Sequence, residues 1–326
     1  MKLGVVGCAH MHANAYVEAL KEFENVEIVG IAEEDEELGK GFAKQYDLEY
    51  YKDYKEFIQK DMDAVIICSE NVKHCEYAVY AANQGRHVIV EKPIATTIED
   101  ANKMIDACNE NGVKLMVTFP VRYTPAILRA KEIIESGKIG KVLAINSTNR
   151  GAMPGGWFVE EELSGGGCII DHTVHVMDVI NMIFDTDIKD VYAKADKLLH
   201  PELDVEDVGI VSVELENGIY ATIDTSWSRP FAFPTWGDLR MQFIGEKGTL
   251  DVDIEKQGGI LYSEANDKSV FMPWGDDMNY LMIRDFVDCL EKDRPSPVTG
   301  EDGLFTLEAA LMAYESIEKN MVVSKK

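Results

Sequence analysis

The six cysteines, Cys8, Cys68, Cys75, Cys108, Cys168 and Cys289, form no CxxC pair and are scattered through apolar segments. That spacing excludes a disulfide framework and a thiolate metal knuckle, and it predicts buried reduced thiols in a cytoplasmic protein. Long apolar runs are also absent. No stretch approaches the ~18 residues of a membrane span, and Leu3–Val6 is too short for a signal-peptide core. Basic residues are scarce. Lys and Arg total 32 against 58 Asp and Glu, a net charge of −26, which repels nucleic acid and anionic lipid. The densest acidic run, Glu33-Glu34-Asp35-Glu36-Glu37, reads as a strand end followed by a helix first turn, where carboxylates are favoured. No repeat or low-complexity segment interrupts the chain. What remains, 326 residues with 46% hydrophobic and 28% charged, fits two globular domains.

The first part of the chain alternates between two periods. Short Val/Ile-rich runs at 2–7, 26–32, 64–68, 87–90 and 114–118 are separated by helical spacing at 13–23, 36–46, 72–83 and 98–111. Strands apolar throughout, divided by amphipathic helices, predict a doubly wound parallel sheet covered on both faces, a Rossmann fold. Beyond a helix at 126–136 the pattern changes. Segments at 142–149, 190–195, 207–214, 218–226, 239–244 and 249–254 are β-branched, and Glu216-Asn217-Gly218 marks a hairpin turn. Helices are predicted near 168–183, 277–292 and 302–319. This reads as an α+β domain on a large, mostly antiparallel, open-faced sheet. The boundary is placed at 121/122, giving domains 1–121 and 122–326, with the last helix expected to pack back on the first domain.

After the first strand the sequence is Gly7-Cys8-Ala9-His10-Met11-His12. A dinucleotide fingerprint reads GxGxxG there, and only its first glycine is present. That glycine allows the tight turn that aims backbone N–H groups and a helix start at a pyrophosphate. Ala9 still permits close approach, whereas His12 departs further. Glu33 ends the second strand, where the fingerprint places an acid about 20 residues on for the adenosine ribose. A carboxylate there repels a 2′-phosphate, and the next cation in sequence is Lys40. NAD is therefore expected over NADP.

The fifth strand ends in Glu91-Lys92-Pro93, at the sheet edge where such folds bind ligands. Pro93 forces an extended Lys92, aimed at the crevice. A second cluster, Gly165-Gly166-Gly167 followed by Asp171, His172, His175 and Asp178, sits at a helix start. Asp171 and His175 are i,i+4 and share one face; Asp178 continues roughly along it. A carboxylate beside an imidazole orients the ring and tunes it for proton transfer. His172 and His175 diverge on the helix with no third soft ligand nearby, so no metal is expected.

These segments together resemble the Gfo/Idh/MocA family. His87–Pro93 is similar to its GKHVxxEKP segment, Gly137–Val142 to GxIGKV, Gly165–Asp178 to GGGxxxDxxxHxxD, and Gly245–Leu250 to GxxGTL. The resemblance covers residues 1 to about 250 in order. It implies an NAD-dependent oxidoreductase transferring hydride between the nicotinamide and a secondary hydroxyl or ketone of a sugar, cyclic polyol or glycoside. Lys92 would stabilise the alkoxide, His175 would act as general acid/base, and Asp171 would hold a substrate hydroxyl or pair with Lys92. Gly7, Ala9, His10, Met11, Glu33, Ser69, Asn71, His74, Glu91, Lys92, Pro93 and Arg122 are assigned to the cofactor side. The family's Arg-Phe pair is here Arg122-Tyr123.

Lys92, Asp171, His172 and His175 are expected to meet the substrate with Arg150, Trp157 and Trp236, and Trp227 and Arg229 are further rim candidates. Aromatic faces pack on sugar C–H faces and Arg donates to hydroxyls. Two other readings fit the same residues. One is an NAD-dependent glycosidase that oxidises a 3-hydroxyl transiently and eliminates the aglycone. The other is a non-catalytic NAD-binding regulator, which retention of Lys92, Asp171 and His175 argues against. An open sheet face carrying Val, Ile and Trp predicts a homodimer or homotetramer.

Overall fold

The computed structural model describes residues 1–256, 258–263, 268–273 and 275–325. The chain begins β1 (Lys2–Val6), α1 (His12–Lys21), β2 (Glu27–Ala32), α2 (Glu36–Tyr46), β3 (Tyr50–Tyr51) and α3 (Tyr54–Ile58). It continues β4 (Ala64–Ile67), α4 (His74–Asn83), β5 (His87–Val90), α5 (Ile98–Glu110) and β6 (Leu115–Val117). Next come α6 (Pro125–Glu135), β7 (Val142–Gly151), α7 (Glu161–Ser164), α8 (Cys168–Phe184), β8 (Ile188–Asp196), β9 (Val208–Leu215) and β10 (Tyr220–Asp224). The last elements are β11 (Gly237–Gly245), β12 (Gly248–Asp253), β13 (Gly258–Ser263), β14 (Lys268–Pro273), α9 (Met278–Glu291), α10 (Gly300–Lys319) and β15 (Val323–Ser324).

The residues fall into two compact units. One comprises Met1–Pro120, Glu162–Gly165 and Asn279–Leu307; the other comprises Val121–Glu161, Gly166–Met278 and Glu308–Lys326. The first holds a six-stranded sheet in the order β3-β2-β1-β4-β5-β6, and every pair in it is parallel. This is the Rossmann arrangement the alternating periods predict. Val65, Ile66 and Ile67 are buried, as a strand covered on both faces requires. The acidic run resolves as read: Glu33 follows β2, and Asp35 caps α2 by accepting from Glu37 N and Leu38 N at 3.0 Å. The opening of α10 packs on this sheet. A Cβ on Gly300 would meet Ile105 and Leu115, and one on Gly303 would meet Val117 and Ile94.

The second unit carries a seven-stranded sheet in the order β12-β11-β7-β10-β9-β8-β15. It is antiparallel except for β10 beside β7, a parallel pair that strand spacing alone does not reveal. Burial alternates along β8 and β9: Val191, Ala193, Val211 and Val213 are buried, while Tyr192 and Ile210 are exposed. The exposed rows differ from the Val/Ile/Trp face expected. Tyr220, Ile210 and Tyr192 stand among Asn146, Thr222, Gln242 and Arg240, and the buried Trp227 packs with Cys168 and Val205. Among the described residues one helical stretch, Glu161–Phe184, is long and apolar enough to cross a membrane, but 78% of its window is buried inside the protein. Every residue from Cys168 to Ile180 is buried, which marks α8 as a core helix.

Candidate active site

In the first unit, β1 runs into Gly7, whose φ is +78°. A Cβ there would sit 2.8 Å from the Ser69 backbone, so only glycine lets the end of β1 approach the end of β4 this closely. Glu33 is buried beside this turn and accepts from Cys8 N at 2.9 Å and Asp35 N at 3.1 Å. The Cys8 thiol adds a weak third donor at 3.7 Å, and the lone pairs of the carboxylate still exceed the three, leaving acceptor capacity for ribose hydroxyls. Met11, at the N-cap of α1, supplies no side-chain cap and the first turn holds no acid; the neutral His10 ring accepts there, from His12 N at 3.2 Å. By contrast, α2, α3 and α5 are capped by Asp35, Asp53 and Thr97. A helix start with no carboxylate in its first turn, behind a glycine turn, is suited to a pyrophosphate. The residues present therefore fit NAD, although two of the three fingerprint glycines are missing.

At the third fingerprint position stands His12. Its ring turns to the end of β5, and Nδ1 lies 3.0 Å from Glu91 Oε1. Tyr16, one turn later on α1, donates to the same oxygen. Glu91 is fully buried, and its other oxygen accepts from Lys92 N at 3.0 Å and faces His10 Nε2 at 3.8 Å. Burial alone would raise the Glu91 carboxyl; the facing His10 and His12 rings and the His12 bond outweigh it and hold it well below the usual carboxylate range. Lys92 N also lies 3.2 Å from Thr118 Oγ1, so the backbone of this lysine is pinned from two sides. The Lys92–Pro93 bond is cis.

The other first-unit candidates support these ends. His74 is buried, with Nδ1 2.9 Å from the Pro93 carbonyl and Nε2 3.3 Å from the Ser69 carbonyl. Burial pulls its pKa below the usual value, against the pull of those carbonyls. Asn71 donates to the Ser164 carbonyl at 2.8 Å. Met11 is exposed at the start of α1. Sequence distance made Lys40 the nearest cation to Glu33. In the fold Lys40 is bound to Glu36, whereas Lys52 lines the same small pocket as Glu33, Gly7 and Ser69. Lys73 is bound to Glu34 and Glu70.

In the second unit, α8 places Asp171 and His175 four residues apart, both buried. The Trp227 indole N–H donates to Asp171 Oδ2 at 3.0 Å, and His172 Nε2 lies 3.2 Å from the same oxygen. His172 Nδ1 is 2.8 Å from the Thr225 carbonyl. Trp236, half exposed, meets the His172 ring edge-on at 5.7 Å. Gly151 makes room for that contact, because a Cβ there would touch both rings. An exposed indole near a fixed carboxylate is a suitable surface for a sugar. Trp227, offered above as a rim residue, instead holds Asp171 from within the core.

Sequence reading missed what fixes α8. Its N-cap, Gly167, offers no side chain. Glu206, from the β8–β9 connection, accepts from Gly167 N at 3.1 Å, Ile169 N at 2.9 Å and Tyr314 Oη at 2.9 Å. Burial raises its carboxyl against those bonds. Arg122 was expected on the cofactor side; its Nε donates to Asp178 Oδ2 at 2.9 Å and its Nη2 to the other oxygen, both side chains being buried. Arg150 Nη2 lies 3.2 Å from Asp238, which Arg229 also binds. Trp157 stacks on Phe158 at 3.9 Å.

A glycine-turn nucleotide loop on a parallel sheet, with a buried lysine at the end of β5, is the arrangement of a Rossmann-fold NAD-binding oxidoreductase. Residues 1–119 match the family model for the NAD-binding Rossmann fold of this oxidoreductase family, and residues 127–251 match that for the GFO/IDH/MocA C-terminal domain. The chain belongs to the Gfo/Idh/MocA family. It is 27% identical to an uncharacterized oxidoreductase of Bacillus subtilis, over 98% of this chain and 95% of that one. It is 26% identical to myo-inositol 2-dehydrogenase of Thermotoga maritima, over 99% and 98% respectively. Among solved structures, GenD2 from gentamicin A biosynthesis in complex with NAD superposes with a TM-score of 0.91 at 25% identity, covering 100% of this chain and 96% of that one.

Proposed function

We propose that the enzyme interconverts a secondary hydroxyl and a ketone on a sugar or cyclic polyol, with Lys92 and His175 acting on the reacting oxygen. Lys92 is the observation that carries this reading. It is buried at the carboxyl end of β5, its backbone held by Glu91 and Thr118. A pre-positioned ammonium stabilises negative charge developing on the hydroxyl oxygen. His175 takes the hydroxyl proton in the oxidative direction and returns it in the reductive one. Asp171, held by Trp227 and flanked by His172, accepts a neighbouring hydroxyl and so orients the ring. NAD, when bound, supplies the hydride acceptor. The names of the inositol dehydrogenase relatives support a polyol, and the half-exposed Trp236, backed by the buried His172 ring, suits the apolar face of such a ring.

The test is a screen of polyols, sugars and glycosides with NAD, read at the NADH absorbance, with His175→Ala as control. Glycosides are read a second way. Aglycone released without net NADH would replace simple oxidation by transient oxidation and elimination.

Glu33 sets the preference for NAD over NADP. Glu33→Ala is expected to improve NADP affinity by about tenfold or more, since it removes like-charge repulsion beside Lys52. Binding titration of both cofactors checks this, and a native enzyme that prefers NADP would sink it.

The open sheet face is proposed as the subunit interface, with Tyr220, Ile210 and Tyr192 as its exposed apolar groups. Light scattering at micromolar concentration is expected to report a dimer or tetramer. Ile210→Asp together with Tyr220→Asp should shift it to monomer; a native monomer refutes the proposal. Six unpaired thiols, five of them buried, support a cytoplasmic location.

A further inference from the structure

The cluster beneath Lys92 goes beyond the cofactor-side assignment of Glu91 and His10, because it includes Tyr16 and the main chain of the lysine. Glu91 Oε1 takes the His12 Nδ1 contact and the Tyr16 hydroxyl, both from α1. Glu91 Oε2 takes the backbone N–H of Lys92. One carboxylate thus joins the first turn of the helix behind the cofactor loop to the main chain of the lysine. Glu91 itself is 0% exposed, so it reaches a bound cofactor only through the loop.

The ligating atoms of His10, His12 and Glu91 also lie within 4.8 Å of one another, close enough for a divalent metal. The tautomer of His10 opposes that use. His12 N–H donates to His10 Nδ1 at 3.2 Å, which leaves the ring proton of the neutral form on Nε2, the atom facing Glu91. A metal-bound imidazole needs the reverse, with its second nitrogen donating to an acceptor. The geometry therefore favours a hydrogen-bonded network over a metal centre.

We propose that Glu91, His12 and Tyr16 are positioning residues that lock the cofactor loop to the backbone of Lys92. The network takes over the close helix–strand contact that a third fingerprint glycine would allow. The inference rests on the catalytic reading of Lys92.

The test compares His12→Leu, His12→Asn and Tyr16→Phe. Asparagine can place an amide N–H near the position of Nδ1, whereas leucine only fills space. His12→Leu is expected to weaken NAD binding and to lower kcat at saturating NAD by about tenfold each, the worth of a hydrogen bond to a buried charge. His12→Asn should recover most of both, and KM for the sugar should move little. Tyr16→Phe, which keeps the ring, should show a smaller loss in the same two quantities, and it serves if His12→Leu does not fold. Equal behaviour of the Leu and Asn variants overturns the proposal, as does a stoichiometric metal in the purified protein. If Lys92→Ala leaves turnover unaltered, the catalytic reading fails, while the NAD titration still decides whether the network sets the loop.

Discussion

His175→Ala is expected to lower kcat by about 10²–10⁴-fold, the usual worth of a positioned general acid/base. NAD affinity should be unaltered, because the glycine turn at Gly7 and the ribose acid Glu33, which follow β1 and β2, belong to the first unit and His175 to the second. Lys92→Ala should cost at least as much, since it removes the charge that meets the developing alkoxide. Lys92→Arg should not rescue it: a guanidinium is planar and broader than an ammonium, and the side chain here is buried. Steady-state kinetics on the sugar found by the screen, together with NAD titration, separate these outcomes. A His175→Ala enzyme with native turnover would remove the imidazole from the mechanism. If Lys92→Ala bound NAD and kept full activity, the alkoxide role would be lost.

The second large effect is on stability. Arg122→Leu is expected to destabilise the protein by about 3–5 kcal/mol, the cost of leaving a buried carboxylate without its partner. Asp178 is fully buried and takes both arms of the Arg122 guanidinium. The Arg122→Leu/Asp178→Leu double variant should lose less than the sum of the single losses, because no unpaired charge is left behind. Urea titration measures both. NAD affinity supplies a further reading: if Arg122→Leu is stable and loses only cofactor binding, then Arg122 serves NAD directly and the ion pair is incidental.

How far the sequence could be read depends on the range of the interactions involved. The parallel sheet was legible because each strand is apolar on its own, as in Val65-Ile66-Ile67 and Val88-Ile89-Val90, and local periodicity carries that information. Gly7, Glu33 and the Asp171/His175 pair were legible because a turn and a helix face are also local. The parallel contact of β10 with β7 was hidden, since strand order depends on partners distant in the chain. So was the cap on α8: Glu206 lies far along the sequence from Gly167, and nothing in its neighbourhood marks it. The ion pair of Arg122 was hidden for the same reason. Its residue type suggested an anion, and its partner Asp178 lies in another segment. The His12–Tyr16 spacing was a missed local signal, because i and i+4 on one helix face can address one acceptor.

The first unit is assembled from three separate stretches of chain. Val298 O accepts from Val117 N at 3.2 Å, and Gly300 and Gly303 let α10 settle on Ile105, Leu115 and Val117. A gene fragment ending near residue 120 would therefore leave this part of the nucleotide domain bare. Exchanging cofactor domains between relatives by a single splice would fail for the same reason. Swaps that carry the 279–307 segment along with the N-terminal stretch are the ones expected to yield soluble chimaeras.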